Sequence, residues 1–234
     1  YKETYYSDIN IALTCGSQEL IDQASRSKLF KDVKKEKIVL GFDVEHFSPK
    51  DQLDSRSFFQ LPENKFIIFA GAQNINSSRK GFNYLFDAIK LLDENLSDKE
   101  KDNILFVIAS GVSPTRYIDT DIEIKFMDLI PLEDLPKMFS AANLFISPSV
   151  KDSGPMTIIQ SLSCGTPVVS FNIGFASEYI INYKNGYKSS DIKSNGLERG
   201  INYFFNLSST ELLDIKINSR ISSETKFNNN INLK

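Results

Sequence analysis

Cysteine and histidine are scarce in this sequence, and their scarcity removes one class of site. Its 234 residues include two cysteines, Cys15 and Cys164, and one histidine. The cysteines lie far apart, and neither belongs to a CxxC pair or a Cys/His cluster. Because a structural zinc site needs about four such ligands, we expect no structural zinc site. So few cysteines are typical of a reducing compartment.

Long apolar runs and a basic excess are also missing. The longest apolar stretches, residues 66–70 and 104–109, are far shorter than the roughly 20 residues that span a bilayer. No signal-peptide pattern is visible, so we expect a cytoplasmic protein. The formal net charge is −3, and no basic stripe with interleaved aromatics occurs, which argues against a nucleic-acid partner. The first residue is Tyr1, and we expect a piece of a longer protein.

What the sequence does contain is an alternation of short apolar runs with longer amphipathic segments. The apolar runs predict strands at residues 9–14, 37–40, 65–70, 104–110, 123–127, 144–148 and 167–171. Helices are predicted at residues 17–30, 80–92, 132–142 and 155–164, and from residue 208 onward. This order predicts an α/β fold, a Rossmann-like parallel sheet with helices on both faces. Right-handed crossovers would place the loops after the strands at one rim, where ligands of such sheets bind.

The strongest chemical pattern is PSVKDSGPMTIIQSLSCGTPVVSF, residues 148–171. Pro155 suits the first position of a helix, and Gly165 suits its carboxyl end. The helix start would turn free amides and a positive dipole end toward the rim, as a phosphate site requires. Gly154 would let a ligand approach the backbone. Asp152 precedes the helix, and Gln160 follows two turns later on the face opposite the apolar stripe.

The loop FAGAQNINSSRKG, residues 69–81, is the second pattern. Gly71 is predicted to end a strand, and Arg79 and Lys80 to open the next helix. A lysine at a helix start is repelled by the dipole unless an anion lies nearby, which favours a binding role for Lys80. Arg79 either assists it or points to solvent.

These segments resemble the retaining glycosyltransferases of family 4, which have the GT-B fold. That family has two acidic residues with seven between them, followed by a small-residue helix and CGTPVV. Asp152 and Gln160 have that spacing here, and CGTPVV follows at residues 164–169. The resemblance implies that Asp152 binds donor-sugar hydroxyls and that residue 160 binds the ribose. Gln160 would keep hydrogen bonding there but loses the anion.

The resemblance also implies roles along the rim. Gly71 and the pair Lys80–Gly81 match family positions, and the lysine binds the donor diphosphate. Ala72 departs from the family, which often has arginine there. Met127 matches the loop that contacts the base, and helix-start residues Gly154, Pro155, Met156 and Thr157 join the donor site. Gly174, Glu178, Asn185 and Gly186 match the following loop and turn.

By resemblance, residues 1–45 are a remnant of the acceptor domain and hinge, residues 46–205 the donor domain, and residues 206–234 a returning helix and frayed tail. The implied activity is metal-independent, retaining transfer of a sugar from a UDP- or GDP-linked donor to a glycan or lipid-linked acceptor. Lys80 and Asp152 would be catalytic, with Lys80 stabilising the leaving diphosphate. Cell-surface polysaccharide or lipopolysaccharide assembly is the expected context, with peripheral contact at the inner membrane face. Without its N-terminal domain, the chain should bind nucleotide and be inactive.

Two other interpretations stay open. The chain is a non-catalytic nucleotide-binding module, which Gln160 and Ala72 favour, or part of a GT-B sugar-nucleotide epimerase. A third pattern, Asp119-Thr120-Asp121, resembles a DxD metal motif. It precedes a predicted strand and therefore lies on the rim opposite the ligand, so we interpret it as a solvated acidic turn.

Overall fold

A computed structural model of the chain describes residues 9–38, 43–152 and 154–227. Its strands are β1 (Ala12–Cys15), β2 (Lys34–Lys37), β3 (Phe66–Ala72), β4 (Ile104–Ser110), β5 (Glu123–Met127), β6 (Leu144–Ser147), β7 (Val168–Phe171) and β8 (Gly186–Ser189). Its helices are α1 (Gln18–Arg26), α2 (Gln52–Phe58), α3 (Phe82–Asn95), α4 (Asp98–Asp102), α5 (Leu135–Ala141), α6 (Met156–Ser163), α7 (Gly174–Tyr179), α8 (Ser194–Phe205) and α9 (Ser209–Phe227). No helix within these described residues is long and apolar enough to cross a membrane.

The main sheet has the strand order β5-β4-β3-β6-β7-β8, and its pairings are all parallel. Strands β1 and β2 form a separate two-stranded parallel sheet that precedes it in the chain. The prediction of a parallel α/β sheet is therefore confirmed.

Helices cover both faces of this sheet because successive strand residues point to opposite sides. In β3, Ile67 and Phe69 pack into a cluster with residues of α5, α6 and α7. Ile68 and Ala70 pack into a second cluster with residues of α3 and α8. Burial on both faces explains why β3, β4 and β6 are near-continuous apolar runs.

The chain order reverses direction across the sheet between β3 and β6. From β3 the chain moves outward through β4 to β5, and it then returns to place β6 on the other side of β3. The loops that follow β3 and β6 therefore diverge from a shared position at the carboxyl rim. Such a switch point is where ligands of open α/β sheets bind.

Several element boundaries differ from prediction. Ser17 caps α1 as expected, since its Oγ accepts from the amide of Leu20. The strand expected at 37–40 is instead Lys34–Lys37, and residues 39–40 lie outside the described residues. Elements that were not predicted are β8 and the helices α2, α4, α7 and α8. The helix of the tail runs to Phe227, and the Asn-rich end beyond it lies outside the described residues.

Candidate functional site

The loops after β3 and β6 are hydrogen-bonded to each other at the switch point. The amides of Val150 and Lys151 both donate to the carbonyl of Arg79, at 2.9 and 3.3 Å. Between the loops, Gly81 has a φ of +68°, and a Cβ there would collide with the carbonyl oxygen of Pro148. Only glycine fits this close approach at no steric cost, so Gly81 fixes how the two loops meet.

Lys80 and Asp152 form an ion pair where these loops meet. Lys80 Nζ donates to Asp152 Oδ2 at 2.7 Å, and the two side chains are only 24% and 12% exposed. The amide of Gly154 lies 3.4 Å from Asp152 Oδ1. Arg79 is more distant, with a guanidinium nitrogen 3.9 Å from Asp152 and a side chain 59% exposed. The structure thus brings together Lys80, Asp152 and Gly154 and leaves Arg79 at their solvent side.

The predicted start of the helix at Lys80 is two residues early. Residues Ser78–Lys80 form a short 3₁₀ turn, Gly81 is the N-cap with a left-handed backbone, and α3 begins at Phe82. Lys80 therefore directly precedes the cap of α3, beside the positive end of the helix dipole. The anion close to Lys80 is the carboxylate of Asp152.

The start of α6 lies just beyond this ion pair. The helix begins at Met156, with Pro155 as its N-cap in an extended conformation rather than as its first helical residue. Proline has no side-chain acceptor, and no side-chain cap bond is formed. Because first-turn amides have no partner within the helix, the first turn at Met156 and Thr157 can bind an anion. Both residues are partly exposed.

Two of the predicted glycines also have packing roles that the sequence did not indicate. A Cβ at Gly154 would lie 2.7 Å from the ring of Phe175, so the glycine makes room for this ring. Gly71 lies within β3 instead of ending it, and a Cβ there would be 3.2 Å from the carbonyl of Ala109 on β4. Gly71 therefore serves strand packing.

Gln160 lies in the second turn of α6 and is 9% exposed. The sequence assigns a buried stripe and a polar face to this helix, but Ser161, Ser163 and Cys164 on the other side are buried as well. The reason is that α9 packs across α6, where Ser163 and Ser223 share a hydrogen bond between their hydroxyls. Burial raises the pKa of Cys164 to about 12, which leaves an unreactive thiol.

Met127 lines a cleft of about 580 Å³ at the same rim, between the loops that follow β4 and β5. Phe59, Val112, Pro114, Asp128 and Leu129 contribute to its wall. Sequence reasoning missed Phe59 because helix α2, which ends directly before it, was not predicted. The apolar wall suits a flat nucleobase.

No group of three His, Cys, Asp or Glu side chains in the described part of the chain is arranged to hold a metal ion. Asp121 of the DxD-like turn lies 3.6 Å from the ammonium of Lys101, which also contacts Asp93 at 3.2 Å. The side chain of Asp121 is 85% exposed, as expected for a solvated turn.

Known proteins are similar to this chain in sequence. The family model described as glycosyl transferases group 1 matches residues 51–221. A curated relative, chitobiosyldiphosphodolichol beta-mannosyltransferase of Debaryomyces hansenii, is 26% identical over 204 residues, which are 77% of this chain and 42% of the relative. The chain thus spans less than half the length of that relative.

Solved structures share the fold. WaaG, a glycosyltransferase involved in lipopolysaccharide biosynthesis, superposes with a TM-score of 0.78 at 14% identity, covering 92% of this chain and 58% of WaaG. Anabaena HepE in complex with UDP-glucose gives a TM-score of 0.71 at 19% identity, covering 92% of this chain and 59% of HepE. Since the family model matches most of the chain, the chain belongs to the group 1 glycosyltransferases, with the GT-B type of parallel sheet.

Proposed function

We propose that this chain is the donor-binding half of a retaining family 4 glycosyltransferase that uses a UDP- or GDP-linked sugar. The observation that carries the proposal is the convergence of Lys80, Asp152 and the uncapped start of α6 at the switch point. A cation, a carboxylate and free amides within one crevice match a diphosphate bearing a sugar. The cleft beside Met127, on the same rim, would take the base.

Lys80 can keep its ion pair with Asp152 and bind a sugar nucleotide at the same time. Its ammonium has three N–H groups, and Asp152 accepts a hydrogen bond from one of them. The remaining two can bind diphosphate oxygens, and the first-turn amides around Met156 and Thr157 can share the charge that develops as the glycosidic bond breaks. Asp152 keeps acceptor capacity for sugar hydroxyls, and Gln160 would bond the ribose as a neutral amide. No protein nucleophile is needed if the acceptor attacks the sugar on the same face from which the nucleotide departs, and no metal is required.

The acceptor would bind to a domain outside this sequence. We propose that residues 1–45 belong to that domain and the hinge, residues 46–205 form the donor domain, and residues 206–234 return toward the acceptor side. A glycan or lipid-linked acceptor in lipopolysaccharide or other cell-surface polysaccharide synthesis at the inner membrane face fits the group. Support comes from WaaG, which acts in lipopolysaccharide biosynthesis, and from HepE, solved with UDP-glucose.

Calorimetric titration of the chain with UDP, GDP and ADP tests this proposal. We expect heat with UDP or GDP, and binding weaker by about tenfold or more in Lys80→Ala, because a charged hydrogen bond contributes about 1.5–3 kcal/mol. Lys65→Ala is the matched control, since Lys65 is ion-paired with Glu123 near the opposite rim, at 2.7 Å. Absence of heat with all three nucleotides in the unaltered chain would refute donor binding.

A second function, a non-catalytic nucleotide-binding module, is favoured by the amide at Gln160 and by Ala72 in place of the family's arginine. Both functions include nucleotide binding, so titration cannot separate them. Transfer assays on the protein that includes the acceptor half, with and without Gln160→Glu, do separate them. Turnover in either form supports the enzyme, and its absence in both supports the module.

A further inference from the structure

Three tyrosines cluster at the edge of the sheet, far from the switch point. Tyr183 lies in the loop before β8, and its ring centroid is 4.8 Å from that of Tyr203 in α8 and 5.9 Å from that of Tyr187 in β8. β8 runs parallel to β7, and α8 returns in the opposite sense after β8. Tyr183 therefore lies at the amino-terminal rim of the edge strand, opposite the rim that carries Lys80.

These rings form one wall of a cleft of about 540 Å³, which we call the tyrosine cleft. Its other lining residues include Glu198, Asn202 and Asn206. Asn206 Nδ2 donates to Asn202 Oδ1 at 2.9 Å. The other amide atoms of this pair, Asn202 Nδ2 and Asn206 Oδ1, have no hydrogen-bond partner among the described residues. The cleft thus combines three tyrosine rings with one amide donor and one amide acceptor that have no partner in the described part of the protein.

The backbone at Tyr183 is in an unfavourable conformation. Its φ is +66°, in the left-handed region that bulky side chains rarely adopt, and its amide donates to the carbonyl of Gly186 at 2.8 Å. Glycine would form this turn without strain. The turn nevertheless places the ring of Tyr183, which is 55% exposed, against the ring of Tyr203. Core packing does not account for an exposed ring in a strained turn.

The composition of the cleft limits its ligand. Glu198 and Glu211 bring two negative charges against one positive charge of Arg199, so a nucleotide or other anion is disfavoured. The amides and charged groups on its walls also disfavour an acyl chain. A pyranose fits this lining, because its C–H faces can pack on tyrosine rings and its hydroxyls can form hydrogen bonds with amides and carboxylates.

We propose that the tyrosine cleft is a second saccharide-binding site, which holds pyranose units of a neutral glycan away from the donor site. That this glycan is the acceptor or product chain rests on the proposed function. Saccharide binding itself does not depend on that function. A site on the rim opposite the donor would retain a glycan between transfers, since the glycan would not compete for the crevice at Lys80.

Ligand-observed NMR and tyrosine fluorescence test the site with three probes, maltotriose, mannotriose and chitotriose. The chain has no tryptophan, so its fluorescence reports on tyrosine alone. We expect at least one probe to bind, and Tyr183→Gly to weaken that binding by about tenfold, in line with the loss of one aromatic contact. This variant should fold at least as well as the parent because glycine relieves the strain.

Two further variants sharpen the test. Tyr183→Phe keeps the ring and should bind within about twofold of the parent, as expected for a stacking contact. Tyr117→Ala removes a tyrosine that is 85% exposed elsewhere on the surface and should bind like the parent. No binding of any probe, or equal binding by Tyr183→Gly and the parent, would overturn the site.

The donor proposal is tested separately on the same samples. We expect UDP or GDP to bind Tyr183→Gly as tightly as the parent. Loss of nucleotide binding in Lys80→Ala with saccharide binding retained would show that the two sites are independent. Saccharide binding without any nucleotide binding would leave the tyrosine cleft standing and refute the donor site.

Discussion

Glu19 in α1 accepts a hydrogen bond from the amide of Gly174, the first residue of α7, at 2.7 Å. A matching hydrogen bond runs the other way. Glu178, near the end of α7, accepts from the amide of Gln18, the first residue of α1, at 2.7 Å. Each helix therefore receives a carboxylate at its amino end from the other. A Cβ at Gly174 would lie 2.7 Å from the carbonyl of Asp152, so this exchange occurs directly beside the proposed donor loop.

Removing one of these carboxylates should loosen α1. Glu178 is 16% exposed and also pairs with Lys37. We expect Glu178→Ala to destabilise the segment by about 1 kcal/mol, because a carboxylate at a helix amino end contributes roughly that much when partly buried. Hydrogen exchange should quicken at the amide of Gln18 and through the first turn of α1. Glu94→Ala, at an exposed site on α3, is the control, and equal exchange in both variants would contradict the prediction.

Gly81 should be the least replaceable glycine of the donor loops. Gly81→Ala adds a left-handed backbone strain of about 1–2 kcal/mol and a collision with Pro148. We therefore expect Gly81→Ala to lower the free energy of unfolding in urea by more than Gly165→Ala does. Gly165→Ala is matched, since Gly165 has a φ of +73° but its Cβ would lie 3.4 Å from the nearest atom, the carbonyl oxygen of Lys216. Similar losses in both variants would show that the contact with Pro148 does not matter.

An element of the fold could be predicted where its residues alone determine it, and not where it depends on contacts with distant parts of the chain. The apolar run of β4 is buried on both faces and was predicted to the residue, because its burial is written into consecutive residues. The bounds of β5 were also predicted to the residue, although this edge strand has no fully buried residue. The strand at Lys34–Lys37 could not be found that way, since its four charged residues pair only with β1 at the surface. The backbone of Gly81 was also unpredictable, because its left-handed turn depends on contact with Pro148, which is distant in sequence. For the site, the motifs identified Lys80 and Asp152, but only the fold shows that they contact each other.

Neutralising Asp152 should affect nucleotide and sugar binding differently. Asp152→Asn frees Lys80 from its ion pair and removes a negative charge beside the proposed diphosphate site. We expect UDP or GDP to bind as well as or up to about fivefold more tightly, since a nearby like charge opposes an anionic ligand. Affinity for the whole sugar nucleotide should not rise in parallel if Asp152 holds the sugar. Asp87→Asn on α3, which removes the ion pair of Asp87 with Arg116, is the control. Weaker nucleotide binding in Asp152→Asn would contradict this account.

Lys216 should make stability depend on pH in the alkaline range. Burial, assisted by the charge of Arg56, lowers the pKa of Lys216 in α9 from 10.5 to about 8. Between these values the unfolded chain holds a proton that the folded chain has lost, so stability rises as pH increases from about 8 to 10.5. Below pH 8 both states are protonated, and the folded state carries the full cost of a buried charge.

Lys216→Met removes that cost and isolates the effect. We expect the variant to be more stable than the parent by on the order of 3 kcal/mol at pH 7, as a shift of this size implies. The difference should shrink steadily in urea unfolding as the pH is raised toward 10. Cys164, with its pKa raised to about 12, lowers stability above pH 9, but it does so in both proteins and cancels. A difference that stays constant from pH 7 to 10 would mean that Lys216 is as well solvated in the folded chain as in the unfolded one.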